Sequence, residues 1–242
     1  MSGHSKWSTI KRKKGALDAK RGVVFTKLAN LITIMAKEHG NDPDTNFSLR
    51  MAIEKAKSFN MPKNNIERAI KRGAGEIDGE QIEELIYECI GPANSQFIIK
   101  ALTDNKNRSA ANIRHIFTKA GGSLGSVMWN FEQKGVIVVA NEELKNKKII
   151  IDNFEMELID AGVEDIINED ENKVIYTKIE NLQNIKKFLD NKNIKIESAE
   201  IEYIAKEKIN INGNDKNKIE KLINAIEDCE DIADYYINIK NI

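Results

Sequence analysis

The chain has 242 residues, 41% hydrophobic and 31% charged, with 37 Lys and Arg against 38 Asp and Glu and a formal net charge of −1. That length holds about two domains or three small ones, and the ordinary apolar content with only three prolines excludes wholesale disorder. No apolar run approaches the roughly 18 residues of a membrane span, and Cys89 and Cys229 form no CxxC pair, so no membrane anchor, zinc site or disulfide framework is expected.

The near-zero charge conceals a division. Residues 1–75 carry 16 basic and 6 acidic residues, net +10, and the remainder carries 37 − 16 = 21 basic and 38 − 6 = 32 acidic, net −11. A cationic head of this kind attracts polyanions, and an acidic body limits how much of the protein can lie against them. The basic residues begin at once, with Lys6, Lys11, Arg12, Lys13, Lys14, Lys20 and Arg21 in a leader that also holds His4 and Trp7. This leader lacks the apolar core of a secretory signal. A transit peptide competes, since residues 2–17 are basic, serine-bearing and free of acids; Lys outnumbers Arg there and no cleavage-site break follows, which favours mature protein in a cytoplasm.

From Ala16 to His39, apolar residues at threes and fours predict a helix with one buried stripe, ended by Gly40 and "NDPD". Phe47, Leu49, Ala52, Ile53, Ala56 and Phe59 predict a second helix. Ile66, Ala69 and Ile70 predict a short third one, capped by Asn64 or Asn65 and ending at Gly73. The texture then turns β-branched: "IEELIYECI" and "QFIIKALT" read as strands around the turn "GPANS". "NRSAANIRHIFTKAGG" reads as a helix capped by Ser109 or Asn107, and "SVMWNF" as a third strand. Residues 135–204 spell strand, helix (149–161), strand, strand, helix (181–190), strand, the order of a ferredoxin-like βαββαβ unit. A last helix and the strand "IADYYINI" complete the ββαβ begun at residue 82 if that unit is an insertion.

The fold class expected is therefore α+β with three domains: a basic helical domain over 1–78, a middle α/β domain from 79–133 and 206–242, and an inserted ferredoxin-like domain over 134–205.

A phosphate backbone needs several cations in register, and the leader with Lys63, Asn65, Arg68, Lys71 and Arg72 around the third helix supplies them. Trp7 fits either stacking on an unpaired base or folding back as an anchor on the first helix. The second and third helices also have helix-turn-helix spacing, which would aim Asn64, Asn65, Glu67 and Arg68 at a major groove. "AGGSLGS" lacks the Lys-Ser/Thr ending of a P-loop and reads as a helix stop and turn. "TDNKNR" joins a strand end to a helix start, where anions sit, and is the candidate binding loop of the acidic part. His4, His39 and His115 are scattered, so no catalytic residue, metal site or cofactor is expected.

In order along the chain, "GHSKW", "DAKRG" with "FTKL", "MPKNNIERAIKRG", "YECIGP", "TDNKNR…IRHIFTKAGG" and "IEDCED" resemble the YebC/PmpR family, called the translational activator of cytochrome oxidase family in its mitochondrial branch. The resemblance implies three domains with the third inserted in the second, and a non-enzymatic role. That role is either DNA-binding transcriptional regulation or ribosome-associated help to translation. It carries Gly3, His4, Ser5, Lys6 and Trp7, the basic run through Arg21, and Met61, Lys63, Asn65, Arg68 and Arg72 onto the family's motifs. The sequence departs from the pattern twice: "GGSLGSVMWNF" lacks a few residues, and "IGPANS" lacks a glycine often found after the proline.

These readings converge on a nucleic-acid-binding regulator of gene expression, its target ribosomal RNA or promoter DNA and the ribosome a partner, with no membrane and no small-molecule substrate. A protein-interaction adaptor using the acidic surface is the alternative from another class.

Overall fold

The computed structural model describes residues 21–77, 81–147, 149–169 and 171–240. The fold is α+β, a helical N-terminal region followed by two α/β regions, each with its own four-stranded sheet.

Three helices open the described chain: α1 (Arg21–His39), α2 (Phe47–Ser58) and α3 (Lys63–Gly73). Asn46 starts α2, accepting from Leu49 N at 3.0 Å while its amide donates to Met35 O and Gly40 O, so one buried side chain closes one helix and caps the next. Leu28, Ile32 and Ala36 meet Leu49, Ala52, Ile53 and Ala56 of α2 and Ile66 and Ala69 of α3 in one core. The single stripe expected on α1 is two. Leu31, Ile34 and Met35, on another side of the helix, pack with Ile82, Leu102 and Ala233 of the following region. A second partner lets a helix bury a wider arc than the spacing for one partner suggests.

The second region holds β1 (Glu83–Ile90), β2 (Gln96–Thr103), α4 (Lys106–Lys119), the two-residue β3 (Ser123–Leu124) and, far along the chain, α8 (Asn214–Asp228) and β8 (Ile232–Ile237). Its sheet has the order β3-β1-β2-β8, antiparallel throughout. Central strand β2 is buried on both faces, hence its unbroken apolar run. Phe97, Ile99 and Ala101 face Ile113, Phe117, Ile219, Leu222 and Ile226 in the core with α4 and α8. Phe97 and Phe117 meet edge to face at 5.3 Å.

The expected third strand over "SVMWNF" is not formed. Glu88 instead accepts from Val127 N and Met128 N, both at 2.7 Å, and Met128–Asn130 turns as a single 3₁₀ turn. A carboxylate that satisfies two backbone donors removes the need for a ladder there. Asn105, not Asn107 or Ser109, caps α4, accepting from Arg108 N at 3.0 Å.

The third region is β4 (Phe131–Ala140), α5 (Asn141–Asn146), α6 (Ile151–Asp160), β5 (Val163–Asn168), β6 (Asn172–Thr177), α7 (Leu182–Asn191) and β7 (Ile196–Ala205), with the antiparallel order β5-β6-β4-β7. The one helix expected between its first two strands is two, α5 and α6. Val136, Val138, Val174 and Tyr176 cluster on one sheet face. On the other, Lys173 is fully buried, its ammonium held by Glu155 of α6 at 2.5 Å and by Asn168. Asn130–Lys206 forms one compact unit; the described residues up to Trp129 and from Glu207 form another.

Two positions generate predictions. In the turn after β1, Ala93 sits at φ 54° and ψ 33°, a left-handed conformation that costs a Cβ-bearing residue roughly 1–2 kcal/mol. This is the turn that lacks the expected glycine, so Ala93→Gly should stabilise the chain by about 1 kcal/mol in urea denaturation. Cys89 is buried, and desolvation, with Glu88 beside it, pushes its thiol up from 9.0 to about 12. The unfolded thiol ionises above about pH 9 while the folded one keeps its proton, so this contribution is intact below pH 9 and lost as pH climbs toward 12. Cys89→Ala should lower the thermal midpoint at pH 7 yet flatten its decline between pH 9 and 11.

Candidate nucleic-acid interface

The candidate surface is built on α3. Its contact with α1 is close: Thr33 donates its hydroxyl to Ala69 O at 3.2 Å as well as to Ala29 O, and a Cβ on Gly73 would run into Thr33 O and lie 2.7 Å from Ala36 Cβ. Thr33 meets Ala69 and Ala36 meets Gly73, so the two helices run in the same direction.

With Ile66, Ala69 and Ile70 turned inward, the helical period fixes what faces out. Asn64, Arg68 and Lys71, spaced i, i+4 and i+7, occupy the middle of the exposed face. Asn65 and the half-buried Arg72 flank it on one side; Lys63 and Glu67 flank it on the other, paired at 3.5 Å. Arg68 and Lys71 are thus brought together, while Lys63, with its side chain 87% exposed, has part of its charge answered by Glu67. Asn64 is central in the face; its i, i+4 relation to Arg68 was the available signal.

The expected cap on Asn64 or Asn65 is not what forms. Pro62 is the cap at φ −57°, the helix starting one residue after it; no side chain caps it and no acid lies in the first turn. Proline pre-sets the backbone for this entry, so both asparagines lie inside the helix. Asn65 N and Ile66 N turn back to Pro62 O, and the amides of Lys63 and Asn64 point past the helix end, at the positive pole of its dipole, where a phosphate oxygen is favoured.

Arg21 is exposed at the start of α1, its guanidinium 5.7 Å from the Phe25 ring centroid. His4, Lys6, Trp7, Lys11, Arg12, Lys13, Lys14 and Lys20 lie outside the described residues. Of the +10 on residues 1–75, the described 21–75 carry ten basic against five acidic residues, net +5.

The loop "TDNKNR" is engaged internally. Arg108 Nη2 donates to Asp104 at 2.8 Å and to the buried Asp231 at 3.0 Å, and Thr103 and Asn112 also reach Asp231. These two carboxylates raise the Arg108 pKa. The network joins the end of β2, the start of α4 and the "IEDCED" segment before β8. Two anchors invisible to sequence reasoning tie α1 to this region: Lys27 Nζ donates to Glu227 O at 2.6 Å and Asn30 Nδ2 to Leu102 O at 3.3 Å.

Among the described residues, no group of three or more His, Cys, Asp or Glu is placed to hold a metal ion, and no helix is long and apolar enough to cross a membrane.

Two family models match, one described as the TACO1/YebC protein N-terminal domain over residues 5–76 and one as the TACO1/YebC second and third domain over residues 82–239. The chain belongs to the TACO1/YebC family. A probable transcriptional regulatory protein of Pseudothermotoga lettingae is 46% identical over 99% of this chain and 94% of its own length. One of Thermoanaerobacter pseudethanolicus is 47% identical over 99% and 97%. The crystal structure of a conserved hypothetical protein, Aq1575 from Aquifex aeolicus, superposes with a TM-score of 0.81 at 40% identity, covering 98% of this chain and 97% of that one. The names of the two bacterial relatives are regulatory, not enzymatic.

The α1–α3 contact sets the sign of a prediction. Helix propensity alone would make Gly73→Ala a gain of up to about 1 kcal/mol. A methyl group driven against a backbone oxygen must push α3 away from α1, so a loss of about 1–3 kcal/mol in denaturant unfolding is expected instead.

Proposed function

We propose that this TACO1/YebC-family chain is a non-enzymatic, nucleic-acid-binding regulator of gene expression in the cytoplasm, engaging ribosomal RNA to assist translation. The observation that carries the reading is the outward face of α3, where Arg68, Lys71 and Asn64 sit beside a helix start that no side chain caps. Lysine and arginine fix such a surface on phosphates, and asparagine amides and leader residues add contacts to bases. Trp7 stacks on an unpaired base in this reading, which favours RNA over a closed duplex.

The domain reading belongs to the same proposal: residues 1–78 bind, the middle domain (79–133 and 206–242) supports them through α1, and 134–205 is a ferredoxin-like insertion. The strand order β5-β6-β4-β7, with a helical crossover on either side of the β5–β6 hairpin, supports the last assignment. The second reading, a promoter-binding transcriptional regulator, is favoured by the names of the relatives and by the short, exposed third helix.

The test is a binding titration of the full chain against a single-stranded ribosomal RNA fragment and a DNA duplex of equal length, between 50 and 200 mM salt. Arg68→Ala with Lys71→Ala should weaken binding and reduce the log–log salt slope by about 0.7–0.9 for each phosphate left without its cation. Deletion of residues 2–21 should abolish binding while leaving the far-ultraviolet circular dichroism of the folded part in place. Unchanged affinity in both variants would overturn the proposal, and tighter binding to the duplex would select the promoter reading.

A further inference from the structure

Exposed apolar side chains gather at one place far in sequence from the basic head. Eight large hydrophobic residues are exposed among the described residues, and four of them, Ile150, Ile151, Met156 and Ile159, lie within ten residues at α6; of these, Met156 and Ile159 share one side of the helix. Phe154 and Leu158 turn α6 inward. Asp152, Ile159 and Asp160, at i−4, i+3 and i+4 from Met156, share its outward face, on which Met156 is 65% and Ile159 60% exposed.

The charge on this helix has one sign. Between Ile151 and Asp160 there is no Lys, Arg or His and there are four acids. Glu155 and Glu157 are answered by Lys173 and Lys192 at 2.5 and 2.6 Å. Asp152 and Asp160 have no ion pair among the described residues, and Asp160 is the last residue of the helix, where the carbonyl ends disfavour a carboxylate. Two local rules are broken on one face: apolar groups are left in water and a negative charge sits at a negative pole. Neither cost is offset within the helix, the pattern of a surface built for something outside it.

We propose that this face docks a lysine- or arginine-rich amphipathic helix of another protein, its apolar stripe over Met156 and Ile159 and its cations at Asp152 and Asp160. The two carboxylates are eight residues apart, about 12 Å along the axis, so a partner helix meets both with basic residues two turns apart. The thioether of Met156 adapts to different apolar partners. Nucleic acids and anionic lipid surfaces are repelled by the same carboxylates. A second copy docking by two-fold symmetry would set Asp152 and Asp160 against like charge. This surface is separate from the α3 face, and its occupancy does not rest on the nucleic-acid reading.

The experiment titrates the full chain into a fluorescent 18-residue peptide of leucine and lysine with leucines at helical spacing, followed by anisotropy, with a leucine and glutamate peptide of the same pattern as comparison. Saturable binding of the lysine peptide is expected, weakened by salt and absent for the glutamate peptide. Met156→Ser with Ile159→Ser, and separately Asp152→Asn with Asp160→Asn, should each weaken it about tenfold or more, with thermal midpoints near that of the parent because all four side chains are exposed. No saturable binding, equal binding of the glutamate peptide, or affinities within about twofold in both double variants would overturn the proposal. So would sedimentation equilibrium showing a dimer that the Met156→Ser and Ile159→Ser pair dissolves, which would give the face to a second copy.

Discussion

Helix α1 is shared by two cores, and the candidate binding surface depends on that sharing. Leu28, Ile32 and Ala36 hold α2 and α3; Leu31, Ile34 and Met35 lie against Ile82, Leu102 and Ala233. The hydrogen bonds of Lys27 and Asn30 to the carbonyls of Glu227 and Leu102 fix the rotation of the helix on the second region, and the contact of Gly73 and Ala69 with Thr33 fixes α3 on it. Buried contacts of this closeness transmit position with little slack, because interiors are packed to near-crystalline density. The outward angle of Arg68 and Lys71 is thus set by packing and hydrogen bonds away from the exposed face itself.

The division of charge along the chain is used unevenly. On the basic side, the α3 face leaves Arg68 and Lys71 exposed, while Glu67 answers Lys63. On the acidic side, several carboxylates are structural. Glu88 holds two backbone amides, Asp231 gathers Arg108, Thr103 and Asn112, and Glu155 neutralises the buried Lys173. Net charge therefore overstates how many acids are available to a partner. Asp152 and Asp160 on α6 stand apart from this internal group.

Most elements were legible because their period is strong. "QFIIKALT" reads as a strand and forms β2 from Gln96 to Thr103, and the third helix ends at Gly73 as its glycine signals. What failed were places where a side chain replaced a backbone solution. Val127 and Met128 bond to Glu88 and not to a neighbouring strand, and Asn105 reached the α4 start ahead of Asn107 and Ser109. The composition of "SVMWNF" carries no trace of a carboxylate 39 residues earlier. Similarly, the family resemblance and charge count pointed to the basic head, and helical phase picks out Arg68 with Lys71. The two-sided burial of α1 needed a strand about 70 residues away.

The strand order of the second region's sheet has a consequence for biosynthesis. β2 pairs with β8, and the core it shares is completed by Ile211, Ile219, Leu222, Ile226, Ile232 and Ile239. At roughly 5–20 residues per second, roughly 6 to 26 seconds separate translation of Thr103 from that of Ile232. Throughout that interval the nascent β1–β2 hairpin has an unpaired edge and half a core, whereas Asn130–Lys206 has already emerged with every strand it pairs. A premature stop between about codons 213 and 232 would leave an apolar face open in a chain whose Asn130–Lys206 unit can already have folded, a product suited to capture by chaperones and proteases.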